Sequence, residues 1–126
     1  MATPSLLARR WRSFHDAFRG IGAMLRSEEN ARLHAIATFA VVALGLSVGL
    51  SRLEWLAITL SVGFVWSLEA ANTAIEALCD VVSPERDPRI AKVKDVAAGA
   101  VLIAAITALG VAALVFGSRL LDAIRG

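Results

Sequence analysis

The sequence predicts an all-α membrane protein, with an N-terminal amphipathic helix followed by three transmembrane helices, and two observations carry that prediction. Of 126 residues 57% are hydrophobic, and the mean hydropathy of +0.66 is high for a water-soluble domain. The apolar residues also gather into long uncharged runs, with the charges held in short stretches between them. A chain of this length is read as one domain, 1–126.

The first helix is expected over about 5–26. Trp11, Phe14, Phe18, Ile21 and Leu25 recur at spacings of 3, 4, 3 and 4, the helical period. Arg9, Arg10, Arg12, Arg19 and Arg26 flank or share that segment. A helix greasy on one side and basic on the other suits the headgroup plane; packing on a soluble core is the alternative. With arginines spread along it and no continuous apolar core before a small-residue cleavage site, the segment does not read as a signal peptide.

The first span is expected over 28–50. Its uncharged part, 35–50, has 16 residues, short of the about 20 that a crossing needs, so the polar residues ahead of it continue the helix. Gly45 and Gly49 form a GxxxG, which either admits a close helix or reflects the tolerance of glycine in lipid. After a polar turn at 51–54, the apolar run 55–68 passes without a turn signal into the polar-studded 69–80, giving one helix over 54–80. Pro84, Pro88 and a cluster of charges mark 81–94 as an aqueous loop. The 22 uncharged residues of 96–117 supply the last span, 95–117.

Lysines and arginines orient these spans: six precede the apolar stretch that begins at Ala35, one lies in the first loop, four in the second and two at the C-terminus. The richer N-terminus and second loop are therefore expected to be cytoplasmic. The single cysteine, Cys79, excludes an intramolecular disulfide, and no Cys/His cluster offers a zinc site. A net charge of +2 gives a nucleic-acid partner little support.

Chemistry concentrates in the second span. Glu69, Asn72, Glu76 and Asp80, at spacings of 3, 4 and 4, fall within an arc of roughly 60° on one helix face. Charge is costly in a membrane helix, so such a stripe faces a protein interior or a wet cavity; a polar seam between helices is the structural alternative. The 14 residues from Trp55 to Leu68 rise about 21 Å through a core about 30 Å thick, which leaves Glu69 below the surface and Glu76 near it. A stripe at that depth can join a lipid group to a water-soluble reagent. In the adjoining loop lie Glu85, Arg86, Lys94 and Asp95, where a lysine at a helix N-terminus suits phosphate and Asp95 reads equally as a helix N-cap. No GxxxxGK[ST] or GxGxxG is present, so any nucleotide site is built differently. Glu76 with Glu28 can supply the hard oxygens that magnesium prefers, although a glutamate at that position is commonly only solvated. Glu69, the deeper acid, is the candidate to take a proton from a lipid hydroxyl. Trp55 and Trp66 read as interfacial or packing aromatics, and Cys79 as a small packing residue.

The run Glu69-Ala-Ala-Asn72-Thr73-Ala-Ile-Glu76-Ala-Leu-Cys-Asp80 resembles the signature of the prokaryotic diacylglycerol kinase and undecaprenol kinase family. Lys94-Asp95-Val-Ala-Ala-Gly-Ala-Val-Leu102, Glu28-x-Asn30-x-Arg32-x-His34 and Glu85-Arg86-Asp87 extend the resemblance over about 9–114. It implies a multi-pass lipid kinase of a bacterial cytoplasmic (inner) membrane, a homotrimer with active sites shared between subunits, using ATP as phosphoryl donor and Mg2+ as cofactor. By the same resemblance Glu28 and Glu76 hold the metal, Glu69 is the catalytic base, and Lys94, Asp95 and Glu85, Arg86 and Asp87 contact nucleotide. Asn72 and Asp80 support the site, with Asn30 beside it in the first span. Arg9 and Asp16 fall where the family's N-terminal helix meets nucleotide, without a diagnostic motif of their own.

Two departures bear on the lipid. Diacylglycerol-specific members typically read Gly-Ser-Ala-Ala after Lys-Asp and a hydrophobic residue, whereas Ala97-Ala98-Gly99-Ala100 stands here and resembles the undecaprenol kinase branch. His34 points the same way, either as a substrate contact or as an interfacial helix residue. The expectation is phosphorylation of undecaprenol at the cytoplasmic face, with diacylglycerol as the alternative acceptor. A non-enzymatic helical oligomer conducting protons or ions would leave Lys94-Asp95 and the charged loop without a purpose.

Overall fold

A computed structural model describes residues 3–126, and every regular element among them is an α-helix: α1 (Leu6–Ser27), α2 (Glu29–Val48), α3 (Arg52–Val82) and α4 (Pro88–Arg125). Three of these, α2 to α4, are long and apolar enough to cross a membrane.

Each boundary has a local cause. Ser5 caps α1 by accepting from the Ala8 amide at 3.2 Å. Between α1 and α2 the chain extends for one residue, Glu28, and the Arg32 guanidinium donates back to the carbonyls of Leu25 (3.3 Å) and Arg26 (3.0 Å), the orphan acceptors of the α1 C-terminus. Gly49 ends α2 in the left-handed conformation, φ 68°, which glycine adopts without strain. Ser51 and Glu54 then form a capping box, so α3 starts at Arg52 rather than after a turn reaching Glu54.

The largest correction concerns α4. It starts at Pro88, so the connection from α3 is only 83–87, and 88–94 belongs to the helix instead of an aqueous loop. Asp87 is the N-cap, accepting from the Arg89 amide at 2.8 Å, with Pro88 next to it at the helix start, where its missing N–H costs nothing. Asp95 is therefore not an N-cap, and Lys94 stands about two turns inside the helix, not at its N-terminus.

The helices run antiparallel in a register that the contacts spell out. Along α2 and α3, His34 meets Glu69, Thr38 meets Trp66, and Gly45 meets Trp55. Ion pairs tie α3 to α4 at both ends, Asp80 to Lys94 at one and Glu54 to Arg119 at the other. The apolar core sits near that second end, where Leu50, Ile58 and Val115 pack with Trp55, Val41 and Phe116. Gly45 is buried beside this core, where the Trp55 ring of its own chain packs closely over it. On α1 only Met24 is buried, and Trp11, Phe14 and Phe18 are exposed. At 31 and 38 residues, α3 and α4 reach about 46 and 57 Å, so both overrun a hydrocarbon core of about 30 Å.

Candidate active site

The polar stripe of α3 runs from the interior of the helix group to its surface. Glu69 is 1% exposed and Asn72 8%; Glu76 is half-buried, and the Asp80 side chain is 69% exposed. The deep end faces α2, where His34 Nε2 lies 3.4 Å from Glu69 Oε2. That spacing is within ion-pair range but is not a well-formed hydrogen bond, and Glu69 Oε2 has no hydrogen-bond partner. Asn72 Oδ1 and Thr73 Oγ1 are likewise buried without partners. Native interiors satisfy nearly all such atoms, so these three oxygens, two on the stripe and one on the residue next to Asn72, are open to a ligand, water or a neighbouring chain.

Glu28 stands at the α1–α2 elbow, and Glu76 lies two turns beyond Glu69 on the same face of α3. Ser27 Oγ donates to Glu28 Oε1 at 3.2 Å. Among the described residues no group of three or more His, Cys, Asp or Glu side chains forms a complete metal site. Glu28 and Glu76 are the carboxylates that could serve magnesium, which takes one or two carboxylates and fills its remaining positions with water and substrate phosphates.

At the shallow end a polar pocket of about 550 Å3 opens between α3, the 83–87 connection and the first turns of α4. Asp80, Glu85, Arg86, Asp87 and Lys94 line it. Lys94 Nζ donates to Asp80 Oδ1 at 2.6 Å, which holds the ammonium over the pocket. Hydrogen bonds from the Arg89 side chain and amide hold the Asp87 carboxyl below the usual carboxylate range. A second cavity, apolar and about 220 Å3, lies deeper between α2, α3 and α4, with His34 and Thr38 on its wall and Val41, Val62 and Ala112 further in.

Several expected site residues are not gathered here within the one chain. Asp95 and Ala98 are exposed on α4 and do not line the polar pocket. Asn30 is exposed in the first turn of α2. Arg9 and Asp16 stand on the exposed part of α1, and Asp16 pairs with Arg19 at 2.9 Å. Thr73 and Thr38 carry no expectation from sequence, and Trp66, read there as an interfacial or packing aromatic, donates to Thr38 Oγ1 at 3.0 Å. Thr73 sits inside the quoted signature, so an intramembrane hydroxyl next to Asn72 was a usable signal, whereas nothing in sequence pairs position 38 with 66.

Residues 15–116 match the family model described as prokaryotic diacylglycerol kinase. The chain belongs to that family. It is 40% identical over 114 residues to the undecaprenol kinase of Bacillus subtilis (strain 168), covering 90% of this chain and 93% of that one. A diacylglycerol kinase of Synechocystis sp. (strain ATCC 27184 / PCC 6803 / Kazusa) is 34% identical over 107 residues, 84% of this chain and 59% of that protein. The family's matched region contains the whole of α2 and α3, hence the full stripe and both of its ends.

Proposed function

We propose that this protein transfers the γ-phosphoryl group of ATP to the hydroxyl of a membrane lipid alcohol, undecaprenol, at the cytoplasmic face of a bacterial inner membrane. The observation that carries it is the stripe itself, with a buried, unpartnered Glu69 carboxylate oxygen at one end and the Lys94-lined polar pocket at the other. A lipid hydroxyl approaches from the apolar side and a nucleotide from the aqueous side, so one helix face serves both reactants.

Within that arrangement Glu69 accepts the proton as the lipid oxygen attacks phosphorus and the bond to the leaving ADP breaks. Phosphoryl transfer asks little covalent work of a protein, and positioning with charge stabilisation supplies most of the catalysis. Lys94, with Asp80 orienting it, binds phosphate oxygens, Glu85, Arg86 and Asp87 border the nucleotide, and Asp95, outside that pocket of its own chain, contacts nucleotide in the assembly. Glu28 and Glu76 would hold Mg2+, which when bound offsets charge on the transferring group. Asn72 orients groups between the two ends, and Asn30, His34 and Ala98 border the site on the lipid side.

The exposed apolar row on α1 supports a helix lying in the headgroup plane with its arginines toward the phosphates. Arg9 and Asp16, which do not line the polar pocket of their own chain, reach nucleotide across a subunit boundary in a homotrimer with shared sites. The higher identity to an undecaprenol kinase and the Ala97-to-Ala100 stretch favour undecaprenol, while the second relative keeps diacylglycerol as the other acceptor.

The test is magnesium-dependent transfer of labelled γ-phosphate in mixed micelles, with undecaprenol and diacylglycerol supplied in parallel at matched surface concentration. Preferential labelling of undecaprenol is expected. Preference for diacylglycerol would keep the mechanism and reverse the acceptor, and no label in either lipid would reject the kinase reading.

A further inference from the structure

Trp66 and Thr38 belong to no chemical motif, yet among the described residues they make the hydrogen bond between side chains of α2 and α3. Thr38 donates its hydroxyl proton to the His34 carbonyl at 2.6 Å, one turn back on α2, and accepts from Trp66 Nε1 at 3.0 Å. Trp66 precedes Glu69 on α3 by three residues, so the Trp66–Thr38 rung lies one turn from the His34–Glu69 contact. Both rungs are set by one relation between the helices. A slide of α3 along α2 by one residue, about 1.5 Å, would disrupt them together.

The two rungs differ in quality. The indole bond has good length and is part-buried, where lipid offers its N–H no other partner. His34 and Glu69 stand 3.4 Å apart, within ion-pair range but without a well-formed hydrogen bond, so this contact is the looser of the two. The adjacent rung, one turn away and better formed, is placed to hold the imidazole against the carboxylate.

We infer that Trp66 and Thr38 are positioning residues: their hydrogen bond sets the register of α2 on α3 and thereby keeps His34 against the Glu69 carboxylate. The inference rests on the reading of Glu69 as the group that accepts the hydroxyl proton. It assigns to Trp66 a role other than packing, and predicts that loss of its N–H is felt at a carboxylate to which the indole does not hydrogen-bond.

The test uses the full chain in mixed micelles with Thr38→Val, Thr38→Ser and Trp66→Phe, each compared per amount of folded protein. With the preferred lipid, kcat is expected to fall about 3- to 15-fold in Thr38→Val and in Trp66→Phe, the range of interhelical hydrogen bonds in membranes, with KM for ATP unchanged. Thr38→Ser, which keeps the hydroxyl, retains kcat within about 2-fold, and the Thr38→Val/Trp66→Phe double variant is no worse than the poorer single one. A readout that needs no turnover accompanies it: in 15N-labelled protein the Trp66 indole N–H resonance moves upfield in Thr38→Val and stays in Thr38→Ser. An unmoved resonance in Thr38→Val would show that the bond is absent, and a moved resonance with unchanged kcat would show that it positions nothing. Either overturns the inference. Failure of the wild-type chain to phosphorylate any lipid would instead reject the kinase reading, and with it this role for the rung, while the resonance would still report the bond.

Discussion

Replacing Gly45 with alanine is expected to destabilise the protein through Trp55, and to do the opposite once Trp55 is gone. A Cβ built at Gly45 would lie 2.7 Å from Trp55 Cη2, 2.9 Å from Leu50 Cδ1 and 3.1 Å from Trp55 Cζ2. Carbon atoms settle at about 3.5–4.0 Å, so the indole must withdraw by roughly 1 Å. The ring is rigid and packed against Leu50, Ile58 and Val115, and overpacking of this kind costs about 1–3 kcal/mol. Alanine in a helix regains about 1 kcal/mol over glycine, which leaves a net loss of about 1 kcal/mol, or roughly a five-fold fall in the folding equilibrium constant. In a Trp55→Leu background the ring contacts vanish and the remaining neighbour is the flexible end of Leu50. There Gly45→Ala is expected to be neutral or stabilising by up to about 1 kcal/mol. Reversible unfolding in mixed detergent micelles, run as a double-mutant cycle over Gly45→Ala and Trp55→Leu, measures the sign change. Equal effects of Gly45→Ala in both backgrounds would refute the packing account and return the GxxxG to contacts between chains.

Three further outcomes follow from the site and its supports. Glu69→Gln preserves shape at a fully buried position and should lose about 100-fold or more in turnover while still binding nucleotide; single-turnover transfer with a fluorescent ATP analogue separates the two, and near-normal transfer would remove Glu69 from the reaction. Glu76→Gln and Glu28→Gln should each raise the magnesium concentration required for half-maximal rate by about ten-fold or more, with the lipid KM unchanged, and an unaltered magnesium dependence would rule the residue out as a ligand. Glu54→Gln and Arg119→Gln should each lower the unfolding midpoint of the helix group without changing kcat, because the pair joins α3 to α4 at the end remote from the stripe; additive effects in the double variant would show that the two side chains do not act together.

Much of the site was legible because its signals are local. The stripe from Glu69 to Asp80 follows from helical geometry and from the cost of placing charge in lipid, which needs no knowledge of neighbours. The start of α4 was also local, but its signal was ambiguous: Pro84 and Pro88 both read as loop, and only the second opens a helix behind its Asp87 cap. Lys94 reads from sequence as a cation at a helix N-terminus, whereas it stands inside α4 and its partner Asp80 is 14 positions away, on a different helix.

By itself, then, the sequence determined how many helices could span, which face of the second one carries the acids, and to which family the chain is similar, since hydrophobic run length and residue period depend only on neighbours along the chain. Tertiary structure decided which groups meet: His34 with Glu69, Trp66 with Thr38, Trp55 with Gly45, Glu54 with Arg119. Those pairings hang on the register of one helix against another, a shift of about 1.5 Å per residue. Uniform apolar sequence between the polar positions leaves that register open until side chains interlock.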